Sequence, residues 1–230
     1  MSKTRIIEAV QKLDLETARQ LIRANPSLLS VWNRKGRNLL HLACSASCKK
    51  LNLPESSATQ MVNFLLDCGM DIEEPNLSAG DPCTPLWFAV ARGRNLPLVK
   101  LLIKRGARPD RAPGHALYAA GWWEDLKILD VLLKAGAKID IGGSPFFACW
   151  CWRKFEAAKF LALKGANVNF QDPQNGQTAL LYGVEKEFDP SLLKWLMQHG
   201  ASADIEDNNG VTARLKASRK RDKRFLKAMI

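Results

Sequence analysis

The sequence predicts an all-α solenoid of about seven stacked helix-turn-helix units within its 230 residues. Two recurring segments carry that expectation. The first is an apolar run that stops at glycine: Leu101–Ala107, Val131–Ala137, Phe160–Ala166 and Trp195–Ala201 all end in Gly-Ala, and Phe64–Met70 ends in Gly-Met. The second is a four-residue motif upstream of these runs: Asn38-Leu39-Leu40-His41, Thr84-Pro85-Leu86-Trp87, His115-Ala116-Leu117-Tyr118, Ser144-Pro145-Phe146-Phe147, Thr178-Ala179-Leu180-Leu181 and Thr212-Ala213-Arg214-Leu215. Hydrophobic residues at 47% and charged residues at 25% are ordinary for a chain with a packed core, which argues against global disorder.

Each segment has a physical reading. Apolar residues three and four apart mark the buried face of a helix. Glycine just past the last turn takes the left-handed conformation that ends it. A hydroxyl followed by proline is a helix start, because the hydroxyl caps the orphan amides and proline fits the first turn. The glycines recur at spacings of 37, 30, 29 and 35 residues, so the unit is helix, turn, helix, loop. Strand signals are weak apart from short loop segments such as Asn167–Phe170.

These motifs resemble those of the ankyrin repeat, whose tetrad is Thr-Pro-Leu-His and whose second helix ends in Gly-Ala-Asp-Val-Asn. Gly165-Ala166-Asn167-Val168-Asn169 nearly reproduces that ending. The resemblance covers residues 4–226 and implies a single ankyrin-repeat domain over 1–230. Its repeats are 4–35 as an N-terminal cap, then 36–75, 80–112, 113–142, 143–175 and 176–209, with a shortened cap at 210–230. Residues 9–22 read as the capping helices. Repeat 36–75 carries an insertion near Cys48–Ser57, which the family places in a loop. Loops 108–114 and 138–143 are shorter than the family pattern, so their projecting hairpins are expected to be truncated.

The family also implies a function, protein–protein interaction through a concave groove and loop tips, with no catalysis. Register places Trp122, Trp123 and Trp152 on the groove, left open by the shortened loops; the other reading packs the three rings over the core in place of the shortened hairpins. Trp150 falls instead where small residues pack between repeats, one repeat after Gly121, and is expected in the core. The expected partner-binding set is Trp122, Trp123 and Trp152 with Arg34, Lys35, Arg37, Arg92, Glu185, Lys186, Arg219 and Lys220. The partner is an unidentified protein, and the chain is expected to act as a monomer.

Net charge is +11, of which +7 lies in Arg214–Ile230. A polar terminal cap is needed on a solenoid, and the basic end fits that role. The alternative is a nucleic-acid or acidic-surface binder using the basic cap. A body of only +4 makes nucleic acid the less expected partner.

Chemistry has little to stand on. His41, Cys44 and Cys48 could share a helix face, but a zinc site needs a fourth ligand or an open position. Cys149 and Cys151 diverge on a helix. Ser47–Lys50 and Ser191–Lys194 match Ser-x-x-Lys without the companion motifs of serine acylases. His41, His115 and His199 occupy repeat-equivalent structural positions. No phosphate-binding loop or metalloprotease motif occurs, so neither an enzyme nor a cofactor is expected. The N-terminus lacks the apolar core of a secretory signal, and no run approaches the roughly 20 apolar residues of a membrane span. The expectation is a cytoplasmic protein with six reduced cysteines, bound to no metal and to no membrane.

Overall fold

The computed structural model describes residues 2–77, 82–111, 116–140 and 143–229. His115 and the loop segments 112–114 and 141–142, which carry much of the truncated-hairpin expectation, lie outside the described residues. Among those described there is no strand, only an isolated antiparallel bridge between Trp32 and Asn38. Asn167–Phe170 is a turn, closed by Phe170 N–H on the Asn167 carbonyl and by Asn169 N–H on Asn167 Oδ1. Asparagine's side chain here competes for backbone amides that a strand would use.

The chain divides into two compact units, Met1–Lys138 and Ile139–Ile230, with the boundary in the loop joining repeats 113–142 and 143–175. In the first, α1 (Ser2–Gln11) and α2 (Leu15–Ala24) form the cap, followed by a 3-10 turn at Pro26–Ser30. Next come α3 (Leu39–Ser45), α4 (Cys48–Leu51) and α5 (Ser56–Asp67), then α6 (Pro85–Phe88) running into a π turn at Ala89–Gly93, α7 (Leu96–Lys104), α8 (Ala116–Trp122) and α9 (Leu126–Lys134). First helices stack on first helices, α1 on α3, α3 on α6, and α6 with its π turn on α8. The second helices α2, α5, α7 and α9 stack likewise. The core between the two rows holds Ile6, Leu39, Leu40, Met61, Leu65, Phe88, Leu98, Leu102, Leu129 and Leu132.

The second unit repeats the plan with α10 (Pro145–Cys151), α11 (Phe155–Leu163), α12 (Ala179–Glu185), α13 (Pro190–Gln198), α14 (Ala213–Ser218) and α15 (Arg224–Lys227). Here α10, α12 and α14 stack in sequence, and α13 meets α15. Trp150 is fully buried, with ring centroids 5.3 Å from Phe155 and 5.9 Å from Phe188. The residue that makes room for it is Gly183. A Cβ there would stand 3.4 Å from Trp150 Nε1 and only 2.6 Å from Leu193 Cδ2.

The tetrads start helices as their chemistry requires. Asn38, Thr84, Ser144, Thr178 and Thr212 each accept from the amide three residues on, at His41, Trp87, Phe147, Leu181 and Leu215. A second set of bonds links repeats. Arg108 N–H donates to Glu73 Oε1, Lys138 N–H to Asp110 Oδ1, Asn167 N–H to Asp140 Oδ2 and Ser202 N–H to Asn169 Oδ1, at 2.7–3.1 Å. The insertion in repeat 36–75 is folded. Ser47 caps α4, Asn52 ends it in the left-handed conformation, and buried Asn95 donates to the Glu55 carbonyl at 3.1 Å and to Cys48 Sγ.

Packing at two glycines sets measurable costs. Gly183→Ala should lower stability by about 1–3 kcal/mol, because the methyl overpacks a buried contact. Gly136 sits at φ +90° with open space around its Cβ position. There Gly136→Ala should cost about 1–2 kcal/mol from backbone strain alone, and Gly136→Asn should recover part of it. Urea midpoints of the three variants check both.

A pH dependence is expected from His41, which is fully buried and accepts the Asn38 amide on Nδ1 at 3.2 Å. Its Nε2 lies close to the Glu74 and Cys83 carbonyls without completing a hydrogen bond. Burial pushes its pKa down to about 4 from 6.5, the nearby Arg37 adding to the effect. The unfolded chain therefore binds the proton first, so stability is complete above about pH 6.5 and falls as pH drops toward 4. The full loss is roughly 3 kcal/mol. Urea unfolding between pH 7 and 5 should show this slope, and His41→Gln should flatten it.

Candidate partner-binding surface

Trp122 ends α8 and Trp123 follows it directly; they remain 47% and 43% exposed. Trp123 is nonetheless held. Its Nε1 donates to the Ala91 carbonyl at 3.0 Å, and the Arg94 guanidinium carbon lies 4.5 Å from its ring centroid. Both partners come from the π turn and the residue that ends it. Arg94 adopts φ +49° there, and Gly93 packs so tightly that a Cβ would fall on the carbonyl oxygen of Cys44. A π turn adds a residue to the helix end and rotates the chain beyond it, a local irregularity common at functional sites.

The same turn carries Arg92, which is exposed. Arg37 reaches toward it from the preceding repeat. Its guanidinium carbon stands 4.7 Å from the Phe88 ring centroid and its Nε is buried without a hydrogen-bond partner. Burial lowers the Arg37 pKa, and the Arg92 charge lowers it further. Arg34 and Lys35 are exposed at the tip of the adjoining loop, a turn closed by Asn33, whose Oδ1 accepts from the Lys35 and Arg37 amides.

In the second unit, Trp152 follows α10 directly and is 37% exposed. Arg153 takes φ +60° and stacks 4.6 Å from the Phe188 centroid. Glu185 accepts from Gln177 Nε2 at 2.8 Å and lies 3.6 Å from the Lys186 ammonium, which hovers over Tyr182. Lys220 pairs with Glu187 at 2.6 Å, and Arg219 is exposed. Thus the first unit gathers Arg37, Arg92 and Trp123 around one turn, with Trp122 next in sequence at the end of α8, and the second holds Trp152, Glu185, Lys186, Arg219 and Lys220.

Sequence reading missed Arg94 and Arg153. Both occupy the left-handed position between the two helices of a repeat, as do Leu13, Asn52, Glu124 and Glu187. The missing signal was the absence of glycine at that turn, since an arginine placed there in αL leaves at least about 1 kcal/mol of strain to be offset by what its side chain touches.

Among the described residues no group of three or more His, Cys, Asp or Glu is placed to hold a metal ion. His41 Nδ1 is committed to the Asn38 amide. Burial raises the Cys44 thiol far above its usual range and, with Asp172, pushes Cys151 up to about 12, so neither is a thiolate near neutrality. No disulfide joins the six cysteines. His199 stacks on Trp195 at 3.8 Å and bonds its carbonyl.

A family model for ankyrin repeats in three copies matches residues 53–142 and 146–230, well over half of the chain. The chain belongs to the ankyrin-repeat family. It is 29% identical over 206 residues to the nuclear factor NF-kappa-B p105 subunit of Gallus gallus, of which it spans 20%. It is 24% identical over 238 residues to the probable 26S proteasome regulatory subunit p28 of Saccharomyces cerevisiae, an alignment covering 98% of both chains. Among solved structures, the ankyrin-repeat domain of Bcl-3 matches with a TM-score of 0.79 at 21% identity, covering 98% of this chain and 97% of that one. The human ASB11 ankyrin-repeat domain matches at 0.72 and 18% identity, over 97% and 95%. The ankyrin-repeat solenoid anticipated from the tetrads is the observed fold.

A plain surface tryptophan would cost under about 1 kcal/mol to truncate. The indole bond and the arginine above the ring change that expectation. Trp123→Ala should destabilise by roughly 1–2 kcal/mol, the sum of a partly exposed hydrogen bond and a cation–π contact. Trp122→Ala and Trp123→Ala compared in urea melts, with Arg94→Ala in a double-mutant cycle, measure it.

Proposed function

We propose that the chain is a non-catalytic protein–protein interaction module that receives its partner on the groove-side ends of its first helices and on loop tips. Trp122 and Trp123 anchor the contact in the first unit, and Trp152 does so in the second. Arg34, Lys35, Arg37 and Arg92 border the first set; Glu185, Lys186, Arg219 and Lys220 border the other. Ankyrin-repeat domains are in general interaction modules, and the fold is a typical non-enzymatic scaffold. The p28 relative, matched over nearly its whole length, is by name a regulatory subunit of a larger assembly, which supports the same reading.

The observation that carries the proposal is the choice of residues left in water. Among the described residues seven large hydrophobics are exposed, and three of them are these tryptophans. Tryptophan is enriched among the few residues that dominate binding energy. A basic-cap reading for nucleic acid draws on fewer charges than the sequence offers, because Arg214, Lys220 and Arg224 pair with Asp204, Glu187 and Asp222. No helix among the described residues is long and apolar enough to cross a membrane.

Quantitative pull-down with mass spectrometry tests the proposal. Trp122→Ala/Trp123→Ala should lose specific partners at least about tenfold relative to the parent chain, with an unchanged circular-dichroism spectrum. Partners retained by that variant and by Trp152→Ala alike would refute the surface.

A further inference from the structure

We infer that the surface around the π turn, formed by Arg37, Arg92, Arg94, Trp122 and Trp123, takes an acidic peptide segment of a protein partner, one that sets an apolar side chain on the tryptophans and carboxylates on the arginines. The inference rests on the interaction-module reading and adds the chemistry of the occupant.

Three observations support it. First, cations converge where they repel one another. Arg37 lies close enough to Arg92 to feel its charge, and Arg92 and Arg94 flank Gly93 on one turn. Among the described residues, none of the three has a carboxylate within ion-pair distance, although Arg105, Arg108, Arg111, Arg214 and Arg224 all do.

Second, two of these arginines are fixed without an anion. Arg37 lies over Phe88 and Arg94 over Trp123. Guanidiniums oriented by ring faces keep their edges free for carboxylates, which they grip in paired hydrogen bonds. Third, the indoles beside them are half exposed, so an apolar residue of the same segment has a seat next to the charges. A purely apolar ligand would leave the cations unanswered. A nucleic acid would meet the arginines and, on the adjoining loop, Arg34 and Lys35, but it has no apolar side chain to set on the indoles, and the oligonucleotide arm of the test separates the two occupants.

The test pans a displayed random peptide library on the full chain and on three variants: Arg92→Glu, Arg92→Gln and Trp122→Ala/Trp123→Ala. Circular dichroism verifies that each is folded. The expected pool is rich in Asp and Glu beside Leu, Phe or Trp. Synthetic peptides from it should bind at least about tenfold more weakly to Arg92→Glu and to the tryptophan variant, and their Gln/Asn counterparts should bind comparably weakly to the parent. Arg23→Glu, on α2 of the N-terminal cap and outside the proposed surface, should leave binding within about twofold. A tryptophan-dependent pool without acidic enrichment would overturn the acidic occupant and leave the interaction surface standing. A pool indifferent to both tryptophans, or none at all, would overturn the surface and the occupant together. Displacement of the acidic peptides by equimolar thymidylate oligonucleotide would overturn the peptide in favour of nucleic acid.

Discussion

A helix of twelve residues or fewer does not hold its shape in water alone, and every helix among the described residues is of that size. The structure therefore depends on stacking: each pair becomes stable only when the next pair covers its apolar face. Register between neighbours has to be set by something more directional than hydrophobic contact. The side-chain acceptors Glu73, Asp110, Asp140 and Asn169 supply it, each bonding one backbone amide of the following repeat. Because the amide belongs to the loop that precedes the next tetrad, one bond positions the start of the next helix, and the tetrad's own cap then completes the turn.

That arrangement explains which positions are free to vary. The second helices bury one face and end in glycine wherever the chain must turn sharply. The first helices give way to a common left-handed turn, but the residue type there varies: Leu13, Asn52, Arg94, Glu124, Arg153 and Glu187. Each last turn buries one side, with Cys44, Ala120, Trp150 and Val184 in the core, while its other side and the residues that follow are where one repeat differs from another. The π turn at Ala89–Gly93, the folded insertion at α4 and the three exposed tryptophans all occur there. Gly93 and buried Asn95 bracket the π turn and tie it to the end of α3 and to the insertion, so the departure from helical geometry is held by specific contacts rather than by slack.

Much of this was legible in the residues. The tetrads located the first helices from α3 onward, the glycines located the ends of α5, α7, α9, α11 and α13, and Trp150 read as core because its position is one where repeats touch. Its compensating residue was not legible as such. Gly121 is the equivalent position one repeat earlier, whereas Gly183 one repeat later is what faces the ring, since a helix side chain contacts whichever neighbour its direction selects. The π turn escaped because Ala-Val-Ala-Arg-Gly is as good an α-helical sequence as many others. The arginine stacking escaped because it depends on a left-handed backbone at Arg94 and Arg153, and no residue type at those positions announces it.

The restraint on Trp123 bears on why an aromatic would be placed there. A loose surface indole loses rotamer freedom on binding, and each ordered side chain costs about 0.5–1.5 kcal/mol of affinity. Here the Ala91 carbonyl and the Arg94 guanidinium already fix the ring in the isolated chain. The ordering cost falls on folding, where the stack can absorb it, and the ring meets a ligand preorganised. The backbone strain at Arg94 has the same logic: a glycine would relax the turn but remove the group that orients the indole and contributes a fixed positive charge beside it. Rigidity, exposure and charge are thus produced by one irregular turn, and the stacking of the neighbouring helices is what allows that turn to persist.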